Sequence, residues 1–332
     1  MKNFFQKSKR WLPGATISII LIAVIFNAVD IPKTIAALRD ANHSLLIIAA
    51  FLSASWLMVR GIVWRTLLQN RPSYRDTFIT LGEGYLMNNF LPFRLGELGR
   101  AFLLSEKTEL KFTKILPTII VERIFDLIIS AAIFITAVSF VAEAKGTEQS
   151  AYIIGGIVLL AIIILYFLAH NQEWALNFFT KITARIPKVQ ELGGGLLKSL
   201  LAGLSVFTDG ALFLRFIFWM LFNWSIAIIQ FTLVITAFFP QATVIWGMFG
   251  LGAAAFGGAI PSLPGAIGTL EAAIGGALNL LSNDMSTALA VALIGRLYNY
   301  TFSGIVGIYG FNTEGETLSG IYRKLMDFRK NS

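Results

Sequence analysis

Long apolar runs dominate the sequence, and polar residues are gathered between them. A bilayer core about 30 Å thick takes roughly 20 helical residues to cross. Six runs come close to that length, and they cover residues 12–29, 44–68, 115–142, 151–169, 211–239 and 285–311. The pattern predicts an all-α integral membrane protein with about six full spans, forming a single polytopic membrane domain over residues 1–332.

Two further apolar stretches, residues 77–104 and 243–281, are each interrupted by a Leu-Pro break with glycines on both sides. Each half is too short to cross a bilayer, and lipid tolerates irregular backbone only where protein or water covers it. We therefore predict two re-entrant helix pairs. Their breaks lie at Pro92, Gly96, Pro264, Gly265 and Gly268. The alternative of one kinked full span at each place stays open and would change the topology.

The two breaks belong to an internal repeat. Residues 91–98 and 263–270 share the pattern L-P-x-x-[LI]-G-x-L at an offset of 172, and Arg123 and Arg296 open matching Arg-[Ile/Leu]-[Phe/Tyr]-[Asp/Asn] motifs at an offset of 173. The near-equal offsets favour duplication of residues 44–142 as residues 211–311. One single span separates the copies, so the second copy is predicted to be inverted. Inverted repeats that meet at broken helices are typical of alternating-access carriers.

Composition agrees with a membrane protein, since 56% of the residues are hydrophobic, 14% are charged and the mean hydropathy is +0.70. Such a chain leaves no room for a large soluble catalytic module. The absence of cysteine excludes disulfides, thiolate metal sites and cysteine nucleophiles. The net charge of +8 is explained by basic residues near the ends of spans, so no nucleic-acid partner is expected.

The basic residues predict the orientation of the chain. They concentrate at the N-terminus, after span two, after span four and at the tail, at Lys2, Lys7, Lys9, Arg10, Arg60, Arg65, Arg71, Arg75, Lys181, Arg185, Lys188, Lys198, Arg323, Lys324, Arg329 and Lys330. The positive-inside rule then places both termini in the cytoplasm. We expect the first span to be retained as an anchor, and residues 170–210 to form an amphipathic connector on the cytoplasmic surface.

Charged side chains inside the apolar segments cost at least about 2.5–3.5 kcal/mol each, so they need partners and usually a role. We predict that Arg123 and Arg296, at equivalent repeat positions, converge on one anionic group such as a lipid phosphate. A guanidinium fork matches phosphate oxygens in two-point contacts. The alternative is that each arginine neutralises a carboxylate, Arg123 with Glu97 or Asp126 and Arg296 with Glu271.

Three motifs resemble signature stretches of a flippase-like membrane family that includes the N-terminal domain of lysylphosphatidylglycerol synthase. They are residues 92–100, 122–126 and 264–271, and the resemblance covers nearly the whole chain. It implies a bacterial or archaeal inner-membrane protein that moves an anionic phospholipid or polyprenyl-linked lipid between leaflets. Ala266 replaces a glycine that is usual in the family. No aminoacyl-transferase domain follows Phe311, so synthesis of lysyl-lipid is not expected.

The resemblance and the repeat together define the candidate headgroup-binding residues. They are Arg94, Glu97, Arg100, Glu122, Arg123, Asp126 and Glu271 from the resemblance, and Arg296 and Asn299 from the repeat. We expect no metal, no cofactor and no enzymatic activity, and a homo-oligomer is left open. Two other functions stay open. One is a membrane-embedded enzyme or accessory subunit acting on polyprenyl phosphate, with Glu97 and Glu122 holding a divalent metal, and the other is a small-solute secondary transporter.

Overall fold

The structure is a computed structural model that describes residues 12–91, 94–141, 147–184, 186–260 and 262–331. The described residues form helices and no strands. In chain order the helices are α1 (Leu12–Ala28), α2 (Ile31–Asp40), α3 (His43–Leu67), α4 (Tyr74–Phe90), α5 (Leu95–Lys107), α6 (Phe112–Val141), α7 (Thr147–His170), α8 (Gln172–Thr183), α9 (Pro187–Leu204), α10 (Gly210–Phe238), α11 (Val244–Ala259), α12 (Thr269–Ser282), α13 (Met285–Glu314) and α14 (Leu318–Asn331).

Four helices, α3, α6, α10 and α13, are long and apolar enough to cross a bilayer. They contain 25 to 30 residues, or about 38–45 Å of helix. The end of α7 and α8 would count as a fifth span if taken together, although a bend of 100° separates them. The protein is therefore an all-helical, multi-pass membrane protein with four or five candidate spans among its described residues, fewer than the six predicted.

The bend between α7 and α8 lies at the start of the predicted connector. Helix α8 exposes Trp174, Phe178 and Ile182, while Ala175 and Thr183 are buried. A short helix with large apolar side chains on its outer face is typical of a helix that lies on a membrane surface. Pro92 and the basic residues at positions 2–10 and 185 lie outside the described residues.

Each interrupted stretch folds as an antiparallel helical hairpin and not as one kinked helix. Helix α5 returns along α4, and α12 returns along α11. The two hairpins are packed alike, because Gly84 approaches Arg100 and Gly257 approaches Ala273, two pairs related by the same offset of 173. A Cβ on Gly84 would lie 2.8 Å from the Cβ of Arg100, and one on Gly257 would lie 2.5 Å from that of Ala273.

The long helices and the hairpins pack in matching pairs. Helix α3 packs along α10, α4 packs against α13, and α11 packs against α6. Exchanging residues 44–142 with residues 211–311 maps the α3–α10 contact onto itself and interchanges the α4–α13 and α11–α6 contacts. The apolar core between them includes Val63, Phe125, Phe216 and Met220, from α3, α6 and α10. These contacts bring the two breaks next to each other.

Candidate functional site

The breaks of the two hairpins lie against each other. The Nη2 atom of Arg94, at the first break, donates a hydrogen bond of 2.9 Å to the carbonyl of Gly258, near the end of α11. A Cβ on Gly265, at the second break, would lie 3.2 Å from the carbonyl oxygen of Asn89. Asn89 also donates through Nδ2 to Ser303 of α13 at 3.0 Å. Polar groups from both halves therefore meet where the two breaks lie against each other.

The same ion pair follows the break in each half. The Nε atom of Arg123 lies 2.8 Å from Glu97, and the Nε atom of Arg296 pairs with Glu271. Glu97 is the third residue of α5 and Glu271 is the third residue of α12. A carboxylate in the first turn of a helix is stabilised by the unpaired N–H groups there. The pairing that the sequence left as the alternative for both arginines is thus present.

The two arginines differ in how much protein holds them. Arg296 donates through Nη1 to the carbonyl of Gly265 at 2.8 Å and to the hydroxyl of Tyr300 at 2.9 Å, and through Nη2 to the carbonyl of Ala266 at 3.2 Å. Every nitrogen of its guanidinium group has a protein acceptor. The Arg123 side chain is 26% exposed against 13% for Arg296. Arg296 therefore holds the second break, and Arg123 is the more accessible of the two.

The turn that Arg296 holds requires glycine at its centre. Gly265 has φ 69°, and a Cβ there would lie 2.2 Å from the hydroxyl oxygen of Tyr300. We expect Gly265→Ala to lower the free energy of unfolding by about 1–3 kcal/mol, the typical cost of a strained backbone position. Denaturant unfolding of the purified protein in detergent measures the change.

Gly276 of α12 supplies the matched control for Gly265. A Cβ there meets open space, with no neighbouring atom within 4 Å. Because alanine restricts the unfolded chain and favours a helix, Gly276→Ala should raise the free energy of unfolding by about 0.5–1 kcal/mol. Equal stability of the two variants would show that the turn at Gly265 relaxes without loss.

Behind Arg123 lies a buried charge network. Arg60 of α3 pairs with Glu122 at 2.6 Å and with Asp126, to which its Nη1 donates at 2.9 Å. Arg100 of α5 donates to the other oxygen of Glu122 at 2.9 Å. The side chains of Arg60, Arg100 and Glu122 are almost fully buried. Asp126 also pairs with Arg123, at 3.1 Å, so the network reaches the more accessible arginine.

Arg60 is a buried member of the network that the sequence pattern did not predict. Its assignment to the basic flank of span two was wrong, because it lies within α3 and is 1% exposed. The excess of carboxylates in α6 was the sequence signal that a further basic partner is needed. Glu122 and Asp126 share a helical face, and Arg123 alone cannot balance both. Trp224 of α10 also joins the network, because its Nε1 donates to Asp126 at 3.3 Å.

The first half of the chain carries an excess of positive charge at its break. Four arginines, at positions 60, 94, 100 and 123, face three carboxylates, at positions 97, 122 and 126. The Arg94 side chain is 51% exposed. Its distance to the carboxylate of Glu97 is 3.9 Å, which is long for an ion pair. In the second half, Glu271 balances Arg296. The half-exposed Arg94 and the accessible Arg123 therefore form the open end of the network.

The structure groups most of the predicted site residues, but not all. Six of them belong to the first-half network, namely Arg94, Glu97, Arg100, Glu122, Arg123 and Asp126. Glu271 and Arg296 form a second group around Gly265. Asn299 is exposed on α13, and within the described ranges its side chain has no polar contact with either group. Convergence of Arg123 and Arg296 on one anion stays a prediction, since no contact among the described residues joins them.

The alternative hypothesis, a membrane-embedded enzyme, predicts that Glu97 and Glu122 hold a divalent metal ion. Each of these carboxylates is paired with arginine, so a divalent cation would have to displace a guanidinium group. In the part of the chain that the structure describes, no group of three or more histidine, aspartate or glutamate side chains is arranged to hold a metal ion.

Comparisons with known proteins point to one family. The family described as lysylphosphatidylglycerol synthase TM region matches residues 11–307. The chain is similar to a UPF0104 membrane protein of Methanothermobacter thermautotrophicus, with 23% identity over 94% of this chain and 96% of that protein. It is also similar to a UPF0104 membrane protein of Methanocaldococcus jannaschii, with 26% identity over 64% of this chain and 88% of that protein. No solved structure matches.

Proposed function

Because the chain belongs to the family of lysylphosphatidylglycerol synthase transmembrane regions, we propose that it moves an anionic lipid between the leaflets of the cytoplasmic membrane. The lipid is a phospholipid or a polyprenyl-linked lipid. In this proposal the protein is a carrier and not an enzyme, and the first-half network contacts the headgroup.

The observation that carries the proposal is the uncompensated positive charge at the first break. Four arginines against three carboxylates leave one guanidinium in excess, and the most exposed of the four is Arg94. A charge in a low-dielectric interior favours an opposite charge beside it. An anionic headgroup would supply that charge, and the forked donors of Arg94 and Arg123 suit phosphate oxygens.

The contacts of Glu97 suggest how a headgroup could enter. Glu97 lies between Arg94, at 3.9 Å, and Arg123, at 2.8 Å. A phosphate that reaches Arg94 competes with Glu97 for Arg123, so one ion pair is exchanged for another. The main barrier to lipid movement is the transfer of a charged headgroup through hydrocarbon. Fixed guanidinium groups lower that barrier because they replace the lost hydration, while the acyl chains stay in the bilayer.

In the proposed carrier, inverted repeats allow the headgroup site to open to either face of the membrane in turn. Two observations support duplication of residues 44–142 as residues 211–311. The helices of each hairpin approach closely at Gly84 and Gly257, and each half contains a glutamate–arginine pair after its break. With α1 and α7 also crossing the bilayer, there are six spans, the two copies run in opposite senses and both termini are cytoplasmic. The hairpins then enter from opposite faces, and the breaks meet near the middle of the membrane.

Lipid movement can be measured in vesicles that contain the purified protein and a fluorescent phosphatidylglycerol. A membrane-impermeant quencher reaches only the outer leaflet, so movement shows as loss of fluorescence beyond the outer half. We expect faster loss than in protein-free vesicles, and slower loss with the zwitterionic phosphatidylcholine analogue. A polyprenyl phosphate analogue tests the second lipid class.

Two results would favour the other functions. Uptake of a water-soluble solute with no lipid movement would favour a solute carrier. Metal-dependent conversion of polyprenyl phosphate would favour an enzyme, whose metal would have to sit beside Glu97 and Glu122. Lipid movement at the rate of protein-free vesicles for both lipid classes would refute the proposed function.

A further inference from the structure

A second charged cluster lies where α4, α5 and α13 meet, apart from the network at the breaks. Lys107, the last residue of α5, donates through Nζ to Glu83 at 2.8 Å and to Thr80 at 3.0 Å. It also pairs with Glu314, the last residue of α13. Glu83 and Lys107 come from the first half of the chain and Glu314 from the second. The cluster therefore joins the two halves at one end of the bundle.

The charges in this cluster do not balance. Two carboxylates share one ammonium group, and the Glu83 side chain is fully buried while those of Lys107 and Glu314 are 16% and 26% exposed. The Oε1 atom of Glu83 is buried and has no hydrogen-bond partner among the described residues. An uncompensated carboxylate in such a place is costly, and binding of one proton removes the excess charge.

The packing around Glu83 is built for its carboxyl group. A Cβ on Gly310 of α13 would lie 2.3 Å from Oε1 of Glu83, so a larger residue at position 310 would displace that oxygen. The charged groups that face Glu83 are Lys107 from α5 and Glu314 from α13. Helix α3 also packs on α4, but among the residues described it makes no ion pair with Glu83. The unpartnered oxygen thus lies at the interface between the halves.

We propose that Glu83, Lys107 and Glu314 form a binding site for one proton. The proton comes from water and binds a carboxylate oxygen, no bond between heavy atoms changes, and release returns it to water. With the proton bound, Lys107 balances the remaining carboxylate. Without it, Glu83 and Glu314 repel each other and weaken the contact between α4 and α13. The site does not require the proposed lipid movement, although a carrier could use it to respond to a proton gradient.

Infrared spectroscopy of the purified protein in lipid nanodiscs detects the proton directly, because a protonated carboxyl group has its own C=O band. Above roughly pH 5 most exposed carboxylates are ionised, so a band that remains there reports a buried acid. We expect the band to be lost in Glu83→Gln. We also expect its loss in Glu314→Gln, where one ammonium faces one carboxylate and no proton is needed.

Lys107→Met tests the same charge imbalance by removing the positive charge in place of a carboxylate. Removal of the ammonium leaves two carboxylates without compensation, so the band should grow about twofold as both become protonated. Glu106→Gln is the matched control, because Glu106 is a neighbouring exposed glutamate that pairs only loosely with Lys324, at 3.7 Å. The C=O band of the Glu106→Gln protein should have the same intensity as that of the parent protein. A parent protein without the band, or a band that survives both Glu83→Gln and Glu314→Gln, would overturn the proposal.

Discussion

Arg123→Ala is expected to slow the transfer of anionic lipid by about 10- to 100-fold. A hydrogen bond to a charged group contributes about 1.5–3 kcal/mol, and about 1.4 kcal/mol corresponds to a tenfold change in rate. Arg123 is the more accessible of the two repeat-related arginines, and its partner Glu97 lies between it and Arg94, where a phosphate could replace Glu97. The initial rate of fluorescent phosphatidylglycerol transfer in vesicles measures the effect.

Arg123→Lys and Arg215→Ala complete this test. Lysine keeps the charge but lacks the forked donors, so Arg123→Lys should show an intermediate rate. Arg215 is an exposed arginine of α10 outside the network, and its removal should leave the rate unchanged. Parent-like transfer by folded Arg123→Ala protein would remove Arg123 from the headgroup site.

Arg296→Ala should behave differently from Arg123→Ala. Arg296 is held by Glu271, two carbonyl groups and Tyr300, so its loss leaves buried acceptors without a donor. The main effect should therefore be a lower free energy of unfolding and less folded protein. Equal losses of transfer rate in the two variants, at equal stability, would instead support the convergence of both arginines on one headgroup.

Glu122→Gln is expected to lower the free energy of unfolding by about 3–5 kcal/mol, the largest stability effect that we predict. Glu122 is fully buried between Arg60 and Arg100, and each of its carboxylate oxygens faces one of them. Its neutralisation leaves the buried Arg100 without a carboxylate partner and leaves Arg60 with Asp126 alone, and removing one member of a buried ion pair is the costly way to break it. Denaturant unfolding in detergent measures the difference.

The ion pair between Lys33 and Asp284 is the control for Glu122. It has a similar distance, 3.0 Å, but the Lys33 side chain is 56% exposed. Exposed pairs contribute about 0–1 kcal/mol, so Lys33→Met should have a small effect. Glu122→Asp keeps the charge and should lose less stability than Glu122→Gln. If Glu122→Gln and Lys33→Met lowered the free energy of unfolding by the same small amount, the buried network would not be a major source of stability.

Much of the site could be predicted from the sequence because its signals are local. The Leu-Pro breaks, the glycines around them and the charged residues of residues 122–126 stand out against an apolar background. The offset of 173 between Arg123 and Arg296 predicted that they are equivalent positions of a repeat, and in the structure each of them pairs with a glutamate. The partners of both arginines were among the alternatives that the sequence offered, because glutamate in the first turn after a break is close to the following span.

The sequence by itself determined that this is a helical membrane protein with two broken segments and a repeated arginine. Only the tertiary structure decided that Arg60 completes the buried network, that Arg296 holds a turn while Arg123 is more accessible, and that Glu83 and Glu314 share Lys107. The physical reason is that membrane helices are apolar on most faces, so periodicity does not reveal which face turns inward. Contacts between residues 60 and 126, or 83 and 314, depend on how distant helices pack.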